Sequence, residues 1–350
     1  MHMVDALVSP VVSGTMFVAT AGITTYSVKK VQSELDDKKI PLMGVMGAFI
    51  FASQMINFTI PGTGSSGHIA GGLLLAILLG PYAGFITMAS VLLIQALFFA
   101  DGGLLAYGAN VFNLGFYACF IVYPLIYKKF IEKGYSNKRI FSGAIISSVI
   151  ALQLGALSVV LQTLFSGKTE LPFVSFLILM QPIHLAIGII EGVVTASVVS
   201  FVWKARPEIL EKSALGQSLE EVSIRRISLA LLICTLIIGG GLSWFASSNP
   251  DGLEWSVAKH VEIDELQGEG EIYSKASNIQ EKTAFLPDYG FKFFGSEETQ
   301  IENKEQTDAW PKVSAGTSIS GILGGTITLL LAMVTGGVIV FFKRRRKQPA

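Results

Sequence analysis

Long apolar runs are the feature that most restricts how this chain can fold. Nine of them occur, at residues 11–28, 40–58, 68–80, 84–100, 104–126, 140–165, 173–203, 227–246 and 317–342. A helix of about 20 residues crosses the hydrocarbon core of a bilayer while satisfying its own backbone. The composition agrees, because 51% hydrophobic and 15% charged residues are unusual for a water-soluble chain of 350 residues. The sequence therefore predicts an all-α polytopic membrane protein.

The third run, 68–80, differs from the others. It is shorter than the roughly 20 residues that a crossing needs. Gly71-Gly72 lies inside it, and Gly80-Pro81 ends it. Irregular backbone at membrane depth is tolerated where it is buried in protein. We therefore expect a broken or tilted element packed within the bundle.

Basic residues predict the orientation of the chain. If residue 1 lies outside, the four cytoplasmic segments hold 19 of the 26 basic residues. Cytoplasmic loops are enriched in Lys and Arg, and long hydrophilic loops are discounted in that count. Six of the other seven basic residues lie in one such long loop. The pattern predicts nine crossings, with the amino terminus outside and the carboxyl terminus in the cytoplasm.

A polar stretch divides the chain into two parts. Residues 206–225 lack the apolar density of their flanks and are predicted to form a cytoplasmic linker. Residues 1–205 then form a seven-span substrate-binding bundle, and residues 226–350 form a module with two further spans. Between these two spans lies an extracellular acidic segment, residues 247–316, with 14 acidic residues against 6 lysines. This composition indicates a solvated, partly flexible loop.

The start of the chain and one Gly-rich loop carry metal-binding chemistry. The amino group of Met1, the backbone amide nitrogen of His2 and its imidazole can close fused chelate rings around one ion. The loop Pro61-Gly-Thr-Gly-Ser-Ser-Gly-His68 offers a fourth nitrogen from His68, on the same predicted face. Four planar nitrogens suit Ni(II) or Cu(II), and Co(II) less well. The alternative is that His2 belongs to a free tail and His68 to an ordinary loop.

No signal peptide is expected at this start. The first basic residue is Lys29, so the basic region that opens a cleavable signal is missing. Met1 should also be retained, because the residue after it is not small. The amino group then stays available as a ligand.

Polar residues on the seventh run form a second group of candidates. Gln181, His184, Gly188 and Glu191 recur at helical spacing and share one face. Ionisable groups at membrane depth normally face the bundle interior and pair. His184 or Glu191 could orient a metal ligand, and the alternative is a structural pair between spans. Asn57, Asn110 and Asn113 are expected to bridge spans by hydrogen bonds.

Several functions are excluded by what the sequence lacks. The net charge is zero, so no nucleic-acid footprint exists. Cys119 and Cys234 lie in apolar runs and predict neither a disulfide nor a thiolate metal site. No Gly-x-x-x-x-Gly-Lys-[Ser/Thr] motif occurs, so ATP hydrolysis is not expected of this chain.

These motifs, taken together, carry a family resemblance. Met1-His2 with Asp5 and Ser9-Pro10, the loop ending at His68 with Gly71-Gly72, and Pro182-Ile-His184 through Glu191-Gly192 resemble the CbiM/NikM family over residues 1–205. Its members are the substrate-specificity subunits of energy-coupling-factor transporters for cobalt and nickel. The resemblance implies that the amine of Met1, His2 and His68 bind the metal. It also implies a bacterial or archaeal cell membrane.

The carboxyl-terminal part carries a second resemblance. Asn249-Pro-Asp-Gly-Leu-Glu254 after one span, with another span near the end, resembles the PDGLE-type, NikN-like small subunit of nickel systems, here fused. The fusion favours nickel over cobalt. The resemblance implies ATPase subunits and a membrane scaffold subunit as separate partners. Ni2+ or Co2+ is then the transported substrate, with no permanently bound cofactor.

Two alternatives use the same residues differently. Gly64-Ser65-Ser66-Gly67 matches the short motif of intramembrane serine proteases, with His184 as the base for Ser66. If the chain is not a protease, Ser66 is a candidate for orienting a metal ligand. A secondary metal/proton exchanger would use His184 and Glu191 as a proton relay and need no ATPase partner.

Overall fold

The computed structural model describes residues 2–34, 39–168, 170–219, 222–260, 268, 270–291 and 310–347. Twelve α-helical elements occur in these ranges: α1 Pro10–Glu34, α2 Lys39–Gln54, α3 Gly72–Leu79, α4 Pro81–Phe98, α5 Tyr107–Ile131, α6 Asn137–Phe165, α7 Phe173–Ala205, α8 Pro207–Ala214, α9 Arg225–Gly240, α10 Gly252–Ala258, α11 Glu271–Thr283 and α12 Ala315–Lys347. Two short strands, β1 Phe58–Ile60 and β2 Ser65–Gly67, form an antiparallel hairpin.

The prediction of an all-α polytopic membrane protein is confirmed. Among the described residues, six helices are long and apolar enough to cross a membrane: α1, α4, α5, α6, α7 and α12. Helices α2 and α9 have 16 residues each, and α3 has eight. The nine predicted runs thus all become helical elements of different lengths, and the number of crossings stays a prediction.

Helix α3 occupies the run that the sequence marked as irregular. All eight of its residues are buried among the longer helices. Gly80 ends it with a φ of +84°, a conformation that favours glycine, and Pro81 then begins α4. Gly72 lies so close to the carbonyl of Leu114 in α5 that a Cβ would overlap it. These glycines let a short helix pack inside the bundle.

Helix α5 contains a π-helical stretch, Phe112–Tyr127, with Pro124 inside it. Proline has no backbone N–H and clashes with the preceding turn of an α-helix, so a wider turn accommodates it. Asn113 of α5 and Gln162 of α6 exchange two side-chain hydrogen bonds of 2.8 and 2.9 Å. The expectation that Asn113 bridges spans is confirmed.

Small residues allow close packing between the long helices. A Cβ on Gly188 of α7 would lie 2.7 Å from Cα of Val149 in α6. The carboxyl-terminal helix α12 packs on α2 in the same way, because Gly44 of α2 lies against Met333. Close approach of backbones through small residues is how membrane helices gain contact. The last helix is therefore packed into the first bundle.

The predicted linker is partly helical and packed. Its helix α8 buries Ile209 and Leu210. The hydroxyl of Ser213 donates a 2.7 Å hydrogen bond to the carbonyl of Leu78, at the end of α3 away from His68. Residues 220 and 221 of the linker lie outside the described residues.

The described parts of the acidic segment are largely helical and in part packed, and residues 261–267, 269 and 292–309 of the segment lie outside the described residues. Leu253, Val257 and Leu286 are buried against the bundle. The acidic residues between them dominate the composition, which conceals the apolar side chains that pack.

Cys119 is buried and Cys234 exposed, and neither forms a disulfide, as predicted.

Candidate metal-binding site

The start of the chain is folded into the bundle. Met3 is fully buried. Its backbone N–H donates to Oδ1 of Asn110 at 2.7 Å, and Nδ2 of Asn110 donates to the carbonyl of Met3 at 3.0 Å. The N–H of Gly103 donates to the same carbonyl at 2.9 Å. Asn110 therefore holds the amino-terminal segment and does not bridge spans as predicted.

The hairpin of β1 and β2 brings His68 to the same end of the bundle. Its turn contains Gly62 and Gly64, with φ values of +78° and +75° that favour glycine. His68 directly follows β2 and is 8% exposed. Its Nδ1 lies 3.0 Å from the carbonyl of Ile69, so the proton is assigned to Nδ1 and the lone pair to Nε2.

The two predicted ligand histidines lie side by side. The rings of His2 and His68 are stacked, with centroids 5.0 Å apart and an interplanar angle of 20°. The side chain of His2 is only 6% exposed. Burial lowers the pKa of His68 to about 3, so its ring is neutral and can donate a lone pair to a metal. Residues 66 positions apart in sequence thus present two imidazoles to one place.

Asp101 is a component of this site that the sequence analysis missed. Its Oδ1 lies 2.8 Å from Nδ1 of His2. Burial alone would raise the pKa of Asp101, but the charge and hydrogen bond of His2 and a hydrogen bond from Tyr289 hold it well below its ordinary value. A carboxylate on the second nitrogen of a histidine is the usual arrangement around metal ligands. The available signal was an isolated acid at the predicted outer end of a span.

Glu191 and His184 are both buried but do not bond each other. Glu191 accepts hydrogen bonds from the backbone amides of Ala70 and Gly71, at 2.6 and 3.2 Å. Nδ1 of His184 lies 2.8 Å from the carbonyl of Met180, and its Nε2 has no hydrogen-bond partner among the described residues. Glu191 thus holds the backbone just after His68.

Two further predicted residues have other partners. Nε2 of Gln153 donates to the carbonyl of Gln181 at 2.8 Å, and Nε2 of Gln181 donates to the carbonyl of Gln153 at 3.4 Å, so the pair joins α7 to α6. Asn57 accepts a 2.7 Å hydrogen bond at its backbone carbonyl from Ser247. Its side-chain Oδ1 has no partner among the described residues, so Asn57 joins the hairpin to the second module through its backbone.

Ser66 contacts the residues 249–254, which we call the 249–254 turn. Its hydroxyl donates to the carbonyl of Asn249 at 2.7 Å, and its N–H donates to that of Pro250 at 2.8 Å. A nucleophilic dyad would need this hydroxyl on His184. The structure gives it another partner, so the Ser66–His184 protease arrangement is absent.

The 249–254 turn packs against the hairpin and against α7. Asp251 caps the amino end of α10 in a capping box with Glu254. Gly252 follows, and a Cβ there would overlap Ile183 and lie 3.5 Å from Cε1 of His184. The turn therefore covers α7 at the position of His184 and the hairpin at Ser66.

The described residues offer the site two imidazoles rather than a cage of side chains. Within residues 2–347 as described, no three His, Cys, Asp or Glu side chains form a group that could hold a metal ion. The predicted ligand Met1 lies outside the described residues.

Comparison with known proteins gives the same two parts. The profile described as "Cobalt uptake substrate-specific transmembrane region", CbiM, matches residues 2–209, and the PDGLE domain matches residues 225–341. A metal transport protein of Haloquadratum walsbyi is 37% identical over 212 residues, 60% of this chain and 93% of that protein. The fused nickel transport protein NikMN of Rhodobacter capsulatus is 31% identical over 265 residues, 70% of this chain and 74% of that protein.

A solved structure matches as well. The crystal structure of a truncated transition metal transporter is 33% identical, with a TM-score of 0.51, and covers 59% of this chain and 99% of its own. The profile match spans more than half of the sequence and includes His2, His68 and Glu191. This multi-pass membrane protein therefore belongs to the CbiM family, with a PDGLE domain following in the same chain.

Proposed function

We propose that the chain is the substrate-capture subunit of an ATP-driven energy-coupling-factor importer for a divalent transition metal. The observation that carries this proposal is the stacking of His2 on His68, with ring centroids 5.0 Å apart. Asn110 holds the amino-terminal segment in place through its two hydrogen bonds to Met3. Relatives are named as metal and nickel transport proteins. The ion would bind the amine of Met1, the amide and imidazole of His2, and His68.

The environment of His2 fits a ligand. Nδ1 of His2 lies 2.8 Å from Oδ1 of Asp101. Its Nε2 is buried and has no hydrogen-bond partner among the described residues. A half-turn about the Cβ–Cγ bond exchanges the two edges of an imidazole, so one nitrogen can face a metal while the other faces Asp101. The fused chelate requires the orientation in which Nδ1 faces the ion. Asp101 then raises the basicity of that ligand.

Nitrogen donors and the fused module favour Ni2+ over Co2+ as the substrate. Planar nitrogen sites suit nickel, and the fused relatives are named for nickel. The sequence carries no ATP-binding motif, so the energy would come from ATPase subunits coupled through a membrane scaffold subunit. We place the histidine end of the bundle outside the cell and the carboxyl terminus in the cytoplasm, as the basic residues predict.

Proton-coupled exchange without partners is the alternative. It needs Glu191 as a proton carrier, but both carboxylate oxygens of Glu191 accept backbone hydrogen bonds. Proteoliposomes containing only this chain separate the two functions. We expect no accumulation of metal driven by a proton gradient, and such accumulation would overturn the ATP-driven assignment.

Metal titration of the purified full chain tests the ligand set. We expect His2→Ala, His68→Ala and a version with one residue added before Met1 each to lose tight Ni2+ binding. His260→Ala is the matched control, because His260 follows the end of α10 and its ring nitrogens bond the carbonyl of Ser256 and the hydroxyl of Ser175. Unchanged affinity in the extended version would refute the amino-terminal ligand.

A further inference from the structure

The loop between α4 and α5 carries Asp101 and is shaped for close contact. Ala100 has a φ of +53°, which is uncommon for a residue with a side chain, and Gly102 follows with a φ of +82°. The N–H of Asp101 donates to the carbonyl of Gln95 at 3.1 Å. Such a loop needs contacts from outside itself to hold one conformation.

The acidic segment supplies those contacts. The N–H groups of Leu286 and Asp288 donate to the carbonyls of Phe98 and Phe99 at 3.2 and 2.9 Å. Nε2 of Gln280 donates to the carbonyls of Ala96 and Gly102 at 2.9 and 2.8 Å. Residues 280–289 therefore make four hydrogen bonds to the backbone of the last turn of α4 and of the loop that carries Asp101.

Tyr289 reaches the carboxylate itself. Its ring stacks on Phe99, with centroids 5.1 Å apart and an interplanar angle of 22°. Its hydroxyl donates a 2.5 Å hydrogen bond to Oδ2 of Asp101, while Oδ1 faces His2. Each module of the chain thus contacts one oxygen of this carboxylate, and the two contacts fix the orientation of the Asp101 side chain.

The backbone around Tyr289 is shaped for this contact. Asp288 and Tyr289 have φ values of +50° and +60°, in the left-handed region that side chains rarely adopt. Two consecutive left-handed residues turn the chain back on itself after Pro287. Backbone of this kind persists where the surrounding contacts maintain it, often at functional sites.

A second line of hydrogen bonds leads from this tyrosine to the other ligand loop. Gln95 lies 3.5 Å from the Tyr289 hydroxyl and donates to Oε1 of Gln54 at 2.8 Å. Nε2 of Gln54 donates to the carbonyl of Ala70 at 2.9 Å, two residues after His68. Tyr289 thus contacts Asp101 on one side and, on the other, Gln95, from which Gln54 continues to the backbone after His68.

We propose that Tyr289 is a positioning residue for metal capture, through which the fused PDGLE-containing module orients His2 by way of Asp101. The inference rests on the proposed function, because it assigns Tyr289 a part in loading the His2–His68 site. Tyr289 does not contact the metal. Its part is to keep the carboxylate aligned on one nitrogen of His2, so that the other nitrogen meets the ion.

The test is a double-mutant cycle in the purified full chain, with Ni2+ as the probe. Tyr289→Phe removes the hydroxyl and keeps the ring that stacks on Phe99. Tyr273→Phe is the matched control, because Tyr273 lies in the same segment and its hydroxyl bonds the carbonyl of Val8 instead. Affinity, the visible absorption spectrum of bound Ni2+ and thermal unfolding are measured for each variant.

We expect Tyr289→Phe to weaken Ni2+ binding by about 3- to 10-fold and to shift the spectrum, and Asp101→Asn to weaken it by about 10- to 100-fold, the range for residues that orient metal ligands. Because Tyr289 acts through Asp101, the double variant should bind like Asp101→Asn alone. Tyr273→Phe should leave affinity and spectrum unchanged.

The results separate a failure of this inference from a failure of the proposed function. Additive losses in the double variant, or a Tyr289→Phe protein that binds Ni2+ with the wild-type spectrum and affinity, would overturn the role of Tyr289. A loss of affinity that tracks thermal destabilisation with an unaltered spectrum would do the same. Absence of Ni2+ binding by the wild-type chain, or tight binding by His2→Ala, would instead overturn the proposed function on which the inference rests.

Discussion

Glu191, in the middle of α7, accepts a 2.6 Å hydrogen bond from the backbone N–H of Ala70, two residues after His68. Gly71 donates to the other carboxylate oxygen at 3.2 Å. Hydrogen bonds to an ionised group contribute more than neutral ones. A membrane helix therefore holds the backbone from which a predicted ligand projects.

Replacing Glu191 by Gln should weaken metal binding without removing it. The amide retains one acceptor oxygen but loses a charge-assisted hydrogen bond, which costs about 2 kcal/mol. That cost corresponds to a roughly 10- to 30-fold weaker Ni2+ affinity in titrations. Ser197→Ala, which removes an exposed hydroxyl bonded within the same helix, is the control. Equal affinities for Glu191→Gln and the control would show that the His68 loop does not depend on Glu191.

Replacing Asn110 by Ala should release the start of the chain. Met3 would lose its two hydrogen bonds to this side chain, and its buried backbone would be left with an unpaired donor, at about 1–3 kcal/mol. We expect weaker Ni2+ binding and faster chemical labelling of the α-amino group. Thr20→Val removes a comparable hydrogen bond, from Thr20 to the carbonyl of Gly108, away from Met3. Identical labelling rates in the two variants would contradict the role of Asn110.

Replacing Ser66 by Ala should have a small effect. The hydroxyl bond to Asn249 is lost, but the backbone hydrogen bond from Ser66 to Pro250 remains. One neutral hydrogen bond contributes about 1 kcal/mol, so Ni2+ affinity should fall by no more than about 5-fold. Transport assays of the complete importer would check this. Complete loss of uptake by a folded Ser66→Ala protein would contradict a purely structural Ser66.

Replacing Gly252 by Ala should displace the 249–254 turn. The new Cβ would overlap Ile183 and approach His184, and overpacking of this kind costs about 1–3 kcal/mol. We expect a lower unfolding temperature and weaker metal binding. Gly14→Ala serves as the control, because nothing lies within 4 Å of a Cβ there. An unfolding temperature equal to that of the control would show that the turn does not pack on α7 in this way.

The acidic segment shows how composition misleads. Its excess of acids predicted a solvated loop, yet Leu286 is buried and Tyr289 bonds Asp101. A few apolar and aromatic side chains decide where such a segment packs, and an average over many residues conceals them. The same averaging hid Asp101, a single acid between two apolar runs.

The amino-acid sequence alone determines the all-α membrane class and the two histidines worth testing, because apolar run length and residue chemistry are local properties. Only the tertiary structure decides that His2 stacks on His68, that Asn110 holds Met3, and that Glu191 bonds the amides after His68. It also brings Tyr289 to Asp101 across 188 positions of sequence. Contacts between residues so far apart depend on how helices cross and on which side chains they bring together. The periodicity within one helix predicts neither.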